Sequence, residues 1–138
     1  MKTMVTLNLF IAFCFFGTLM SAQRNVIWIG GTPGQESDWF CNKNWSNAHV
    51  PDEFTNVYII NVSSSTFHYP VIKSKEATAL SISIVSEGIL TIEKSGTLSV
   101  IETIIVQNNK SIINRGKLIV ESQELKSEFV FETISQHK

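Results

Sequence analysis

Three short blocks of the chain share one pattern: Gly88-Ile-Leu-Thr-Ile, Gly96-Thr-Leu-Ser-Val and Gly116-Lys-Leu-Ile-Val. Each sets a glycine two residues ahead of a pair of apolar residues at i and i+2, with a polar residue between them in the first two blocks, and the blocks begin eight and then twenty residues apart. Alternation with a period of two sends side chains i and i+2 to the same face of a strand. A strand this short cannot bury its apolar face alone, so a repeat of this kind implies units stacked on one another. Glycine marks the corners where the chain turns without a side chain. The same alternation runs through Leu80, Ile82 and Ile84 against Ser81 and Ser83, and returns at Leu118 and Val120 and at Phe129 and Phe131. Asn-Gly and Asp-Gly, the strongest hairpin signals, are absent from the sequence. The pattern predicts an all-β chain, a short parallel β-helix or β-solenoid rather than a sandwich of hairpins.

Composition points the same way. From Gln23 to Lys138 there are 26 Val and Ile against 8 Leu and Ala, with 23 Ser and Thr. β-branched side chains lose rotamer freedom in a helix and pack well on a pleated surface, so helix is disfavoured throughout. At 138 residues the chain is long enough for one domain and excludes a large multidomain enzyme. Its 11 Lys and Arg are scattered among 12 Asp and Glu, for a formal net charge of −1. A nucleic-acid-binding module would show a basic stripe, so that class is set aside.

The first 22 residues read as a cleaved secretory signal peptide. Lys2 supplies a positive start, Leu7–Phe16 is almost wholly apolar, and Gly17, Ser21 and Ala22 form a small-residue exit before Gln23. A membrane span would need about 20 apolar residues, so no span is expected in the mature chain. Export leaves Cys41 as the single cysteine, expected to be a small buried side chain. Ser63–Thr66 reads as a surface loop.

The most distinctive stretch carries all three tryptophans: Val26-Ile-Trp28-Ile-Gly30, Asp38-Trp39, Asn44-Trp45-Ser46, Val50-Pro51-Asp52, then Val57-Tyr-Ile-Ile60 and Tyr69-Pro70-Val71-Ile72. With the Gly-x-Leu-Thr-Ile and Gly-Thr-Leu-Ser-Val turns that follow, it resembles the tryptophan-rich segment and β-solenoid repeats of secreted or surface adhesin-like, autotransporter-like proteins of Gram-negative bacteria. The resemblance covers most of residues 26–120. It departs at Thr55 and Asn56, where that family usually has two acids. It implies a signal peptide (1–22), an aromatic N-terminal cap with the first strands (23–72), and β-solenoid repeats with a C-terminal tail (73–138). The function implied is structural or adhesin-like, in a secreted or cell-surface protein without catalytic activity, in which this chain would be a truncated member. Surface polysaccharide or other cell-surface proteins would be its partners.

Two roles are open to the tryptophans. In one, Trp28, Trp39 and Trp45 cover the exposed first turn of the solenoid and block edge-to-edge pairing. In the other they form a carbohydrate-binding platform, stacking on pyranose C–H groups with Asp38 and Asn44 as polar contacts. A small polysaccharide lyase or hydrolase is a third reading, but it would need clustered carboxylates. Asp38, Asp52 and Glu53 are the nearest to such a group, and they fall in a turn-rich stretch where aspartate bonds to backbone. The histidines, His49, His68 and His137, lack paired metal-ligand spacing. No catalytic residue, metal or cofactor is predicted.

Overall fold

A computed structural model of the chain describes residues 22–61 and 68–122. The expected signal peptide up to Ser21, the Ser63–Thr66 loop and the Phe129 and Phe131 run lie outside the described residues. The protein is all-β. Its strands are β1 (Arg24–Ile27), β2 (Thr55–Ile59), β3 (Val71–Ile72), β4 (Glu76–Ile84), β5 (Leu90–Ile92), β6 (Thr97–Val106), β7 (Ile112–Asn114) and β8 (Lys117–Val120). A three-residue 3-10 turn at Asn42–Asn44 is the helical element among the described residues. No helix there is long and apolar enough to cross a membrane.

The strands form two sheets, one ordered β1-β2-β4-β6-β8 and the other β3-β5-β7. Every pair in both sheets is parallel. From β2 onward the chain passes from one sheet to the other in turn. Ile72 pairs with Ile92 and Ile92 with Asn114, while Leu98 pairs with Leu118, so from β3 onward equivalent positions recur after 20 to 22 residues, against 31 from β1 to β2 and 25 from β2 to β4. Of the two spacings in the sequence, twenty is therefore the stacking distance. Eight separates β5 from β6, which lie in different sheets.

The glycines of the blocks sit where backbone crosses backbone. A Cβ on Gly88 would stand 2.6 Å from the Ile59 carbonyl oxygen, and one on Gly116 would overlap the Glu93 and Gly96 carbonyls. No other residue fits there without moving main chain.

Inside, Val26, Val57, Ile59, Ile72, Ile82, Ile84, Leu90, Ile92, Leu98 and Val100 form one buried core with the three tryptophans. Hydrogen bonding runs straight across the boundary expected between residues 72 and 73, since β2 pairs with β4 and β3 with β5. The two segments share one core because neither could bury its strands alone.

Two positions differ from simple alternation. The register of β4 against β6 shifts between Ala79 and Ser81, so Ala79 and Leu80 are both buried although adjacent. An irregularity of this kind bends the strand and breaks the period of two. Ser99, expected on the solvent side, is also buried, and its hydroxyl donates to a Glu121 carboxylate oxygen at 3.1 Å.

The turn into β2 is organised by Asp52. Its Oδ1 accepts from the Thr55 hydroxyl (2.7 Å) and the Phe54 amide (3.1 Å), and its Oδ2 pairs with Arg24 at the start of β1. Burial opposes ionisation of this carboxyl, but the bonds from Thr55 and Arg24 outweigh it and hold its pKa below the ordinary aspartate value. A carboxylate with a depressed folded pKa contributes stability that is present above its unfolded pKa, near 3.9, and is lost as pH falls through the folded value. Asp52→Asn should therefore lower the melting temperature at pH 6 and flatten its decline below about pH 4. Melting curves of the two proteins with parallel acid limbs would contradict this.

Candidate functional site

The segment between β1 and β2 folds back on itself around one residue. Asn44 is fully buried; its Oδ1 accepts from the Thr32 amide (3.0 Å), and its Nδ2 donates to the carbonyls of Gln35 (2.6 Å) and Asp38 (3.1 Å). Its own carbonyl accepts from the amides of Ile29 and Gly30. Gly30 has φ +61, and a Cβ there would meet the His68 carbonyl oxygen at 2.6 Å, so the turn requires glycine. One residue, through its side-chain amide and its backbone carbonyl, thus ties together backbone from residues 29 to 44.

The tryptophans close over this frame. Trp45 stands edge-to-face between the other two, with ring centroids 4.8 Å from Trp28 and 4.7 Å from Trp39 and interplanar angles of 79° and 77°. Trp28 Nε1 donates to the His68 carbonyl (2.7 Å) and Trp45 Nε1 to the Trp39 carbonyl (2.8 Å), whereas Trp39 Nε1 is buried without a partner among the described residues. Trp28 and Trp39 are 0% exposed and Trp45 is 1% exposed.

The five residues considered for sugar binding are thus brought together, but not as a platform. Stacking on a pyranose needs an open indole face, and all three faces are spent on the core and on one another. Asn44 has no side-chain atom left over. Asp38 is half-buried, and its Oδ1 accepts from the Phe40 amide at 3.0 Å.

The same fold-back caps the free edge of β1 at its C-terminal end. The Ile27 amide donates to Ser46 Oγ (3.0 Å), the Ser46 amide returns a bond to the Ile27 carbonyl (3.0 Å), and Trp28 bridges to Trp45 in antiparallel fashion. On the other sheet, Asp38 bridges to Val71 in parallel.

That second bridge creates a cavity that the linear sequence did not signal. It has a volume of about 480 Å³ and is lined by Glu36, Asp38, Phe40, His68, Lys73 and Lys75 among others. The Lys75 ammonium lies 5.3 Å from the centre of the Phe40 ring. Backbone amides, its own and that of Gly34, hold the Glu36 carboxyl below its ordinary pKa. Among the described residues neither acid forms an ion pair with either lysine or with His68. The cavity offers charges of both signs and hydrogen bonds to a polar solute. Its two walls are some 35 residues apart in the chain and are joined by the Asp38–Val71 pairing and the Lys75–Phe40 contact, so no local motif announced it.

Cys41 is a free, buried thiol beside this frame, its amide bonded to the Asp38 carbonyl. Among the described residues no group of three or more His, Cys, Asp or Glu could hold a metal ion.

A family model described as a domain of unknown function, DUF8693, matches residues 27–127. The chain belongs to the DUF8693 family. The match spans the aromatic segment and every strand from β2 to β8, which agrees with a single core shared by both. No curated protein and no solved structure matches this DUF8693 domain.

Proposed function

We propose that this DUF8693 protein is a secreted or cell-surface structural module, adhesin-like and without catalytic activity. Its parallel sheets are read as the faces of a short β-solenoid with an aromatic N-terminal cap. All-parallel pairing, passage between two sheets and a recurrence of 20 to 22 residues support the solenoid. The cap reading is supported by the tryptophans and Ser46, which cover the interior and the C-terminal end of the first strand's free edge, where an open edge invites aggregation.

One observation carries the functional reading. The polar groups packed around the tryptophans and at the turn into β2 are largely spent on the chain itself: Asn44 on backbone, Asp52 on Thr55 and Arg24, two of the three indoles on carbonyls. Groups committed in this way hold a scaffold, whereas the regular outer faces of the strands remain open for contact.

Fractionation of cells of the source organism tests the proposal. The mature protein should begin at or near Gln23 and be reached by protease added to intact cells. Recovery of a chain with an intact Met1 terminus in the soluble cytoplasmic fraction would refute it.

A further inference from the structure

The outward-facing side chains of the five-stranded sheet line up in rows that only the register reveals. Ile27 pairs with Tyr58, Tyr58 with Ser83 and Ser83 with Ile105. Each lies between inward-facing neighbours in its strand, so all four project from the outer face. Ile27 is 40% exposed, Tyr58 37% and Ile105 55%. Two residues back along each strand runs a second row, Asn25, Asn56, Ser81 and Thr103. Asn56 Nδ2 donates to Asn25 Oδ1 (3.1 Å) and Ser81 Oγ to Asn56 Oδ1 (2.6 Å), so this row is linked before any partner arrives.

We propose that this face, with Tyr58 near its centre, is a docking surface for an uncharged polysaccharide. The proposal rests on the reading of the domain as a surface protein and names its partner. Neither row contains a charged side chain. A partner surface that carries charged groups would leave them desolvated and unpaired against such a face. A neutral glycan brings apolar C–H faces and hydroxyl groups side by side, which match the aliphatic–aromatic row and the amide–hydroxyl row. Strands about 4.8 Å apart repeat both rows across the sheet, which suits a polymer lying across the strands. Rigid strands and a pre-linked polar row reduce the ordering cost of binding. A second copy of the chain fits less well. Four strands and two rows span roughly 300 Å², against about 800 Å² per partner in a stable interface.

The experiment is retention of the exported chain on insoluble cellulose and chitin, both neutral, and on an alginate gel, which is anionic. Retention is expected on at least one neutral polymer and should be unchanged in about 0.5 M NaCl, since no ion pair is involved. Tyr58→Ala should weaken it about tenfold or more in a protein that still melts cooperatively, with a modest fall in melting temperature from lost cross-strand packing. Ile105→Ser, at the most exposed position of the row, is the second variant should Tyr58→Ala fail to fold.

No retention on either neutral polymer, retention on alginate alone, or retention indifferent to both substitutions would overturn the proposal. So would a dimer in sedimentation that Tyr58→Ala dissociates, which would assign the face to a second copy. A protein found at the cell surface that binds neither polymer refutes the docking face alone. A cytoplasmic protein refutes the functional reading instead.

Discussion

Leu98→Asp should abolish cooperative folding. Leu98 is fully buried in β6, between Ala77 of β4 on one side and Leu118 of β8 on the other. Truncating a buried leucine costs about 2–5 kcal/mol. The carboxylate adds the penalty of a polar group buried without a partner, several kcal/mol more even where it protonates. Domains of this size are stable by only about 5–15 kcal/mol, so the sum removes most or all of the margin. Thr103→Asp, on the exposed side of the same strand, should stay within about 0.5 kcal/mol of the parent. Ser99→Asp falls between them, because it buries a carboxylate beside Glu121 in place of a hydroxyl that bonds to it. Circular dichroism melting of the three variants gives the order, and equal stability of Leu98→Asp and Thr103→Asp would refute the face assignment.

The second large effect is at Trp45. Trp45→Ala should lower stability by about 3–5 kcal/mol, through lost area and a cavity between two indoles that cannot both collapse into it. It also strips the Trp39 carbonyl of its donor. Such a loss corresponds to a fall in melting temperature of roughly 10 °C or more in a domain of this length. Phenylalanine separates packing from hydrogen bonding. Trp45→Phe keeps a ring but orphans that carbonyl, whereas Trp39→Phe removes an N–H that has no partner among the described residues. Trp45→Phe should therefore be the more costly of the two by about 1–3 kcal/mol. A Trp45→Ala protein with an unmoved melting curve and lost glycan retention would restore the tryptophans as a binding platform.

Much of the fold was legible because strands announce themselves locally. Leu90, Ile92, Leu98 and Val100 were expected inside from a period of two, and all four are fully buried. The excess of Val and Ile over Leu and Ala ruled out helix before any contact was considered. The candidate site was legible only in part. Its residues were picked out by their aromatic spacing, but spacing does not say whether an indole shows a face to solvent. That depends on what the neighbouring strands bring, and here Trp28 and Trp39 flank Trp45 within a core that Val57 and Ile59 help to form.

The sequence by itself determined that the chain is β and that glycine stands at corners between strands, since both are properties of a residue and its near neighbours; that β4 and β6 run to 9 and 10 residues came only with their pairing. Only the tertiary structure decided which repeat distance stacks, twenty rather than eight, because that is a matter of register between strands. It decided that Ser99 is buried, and that Ala79 and Leu80 are both buried at a shift in pairing that no local pattern encodes. It also assembled Ile27, Tyr58, Ser83 and Ile105 into one row from four strands spanning 79 positions of the chain. Such a row has no existence in the unfolded chain: it is made by hydrogen bonds between strands, and its chemistry appears only when the register closes.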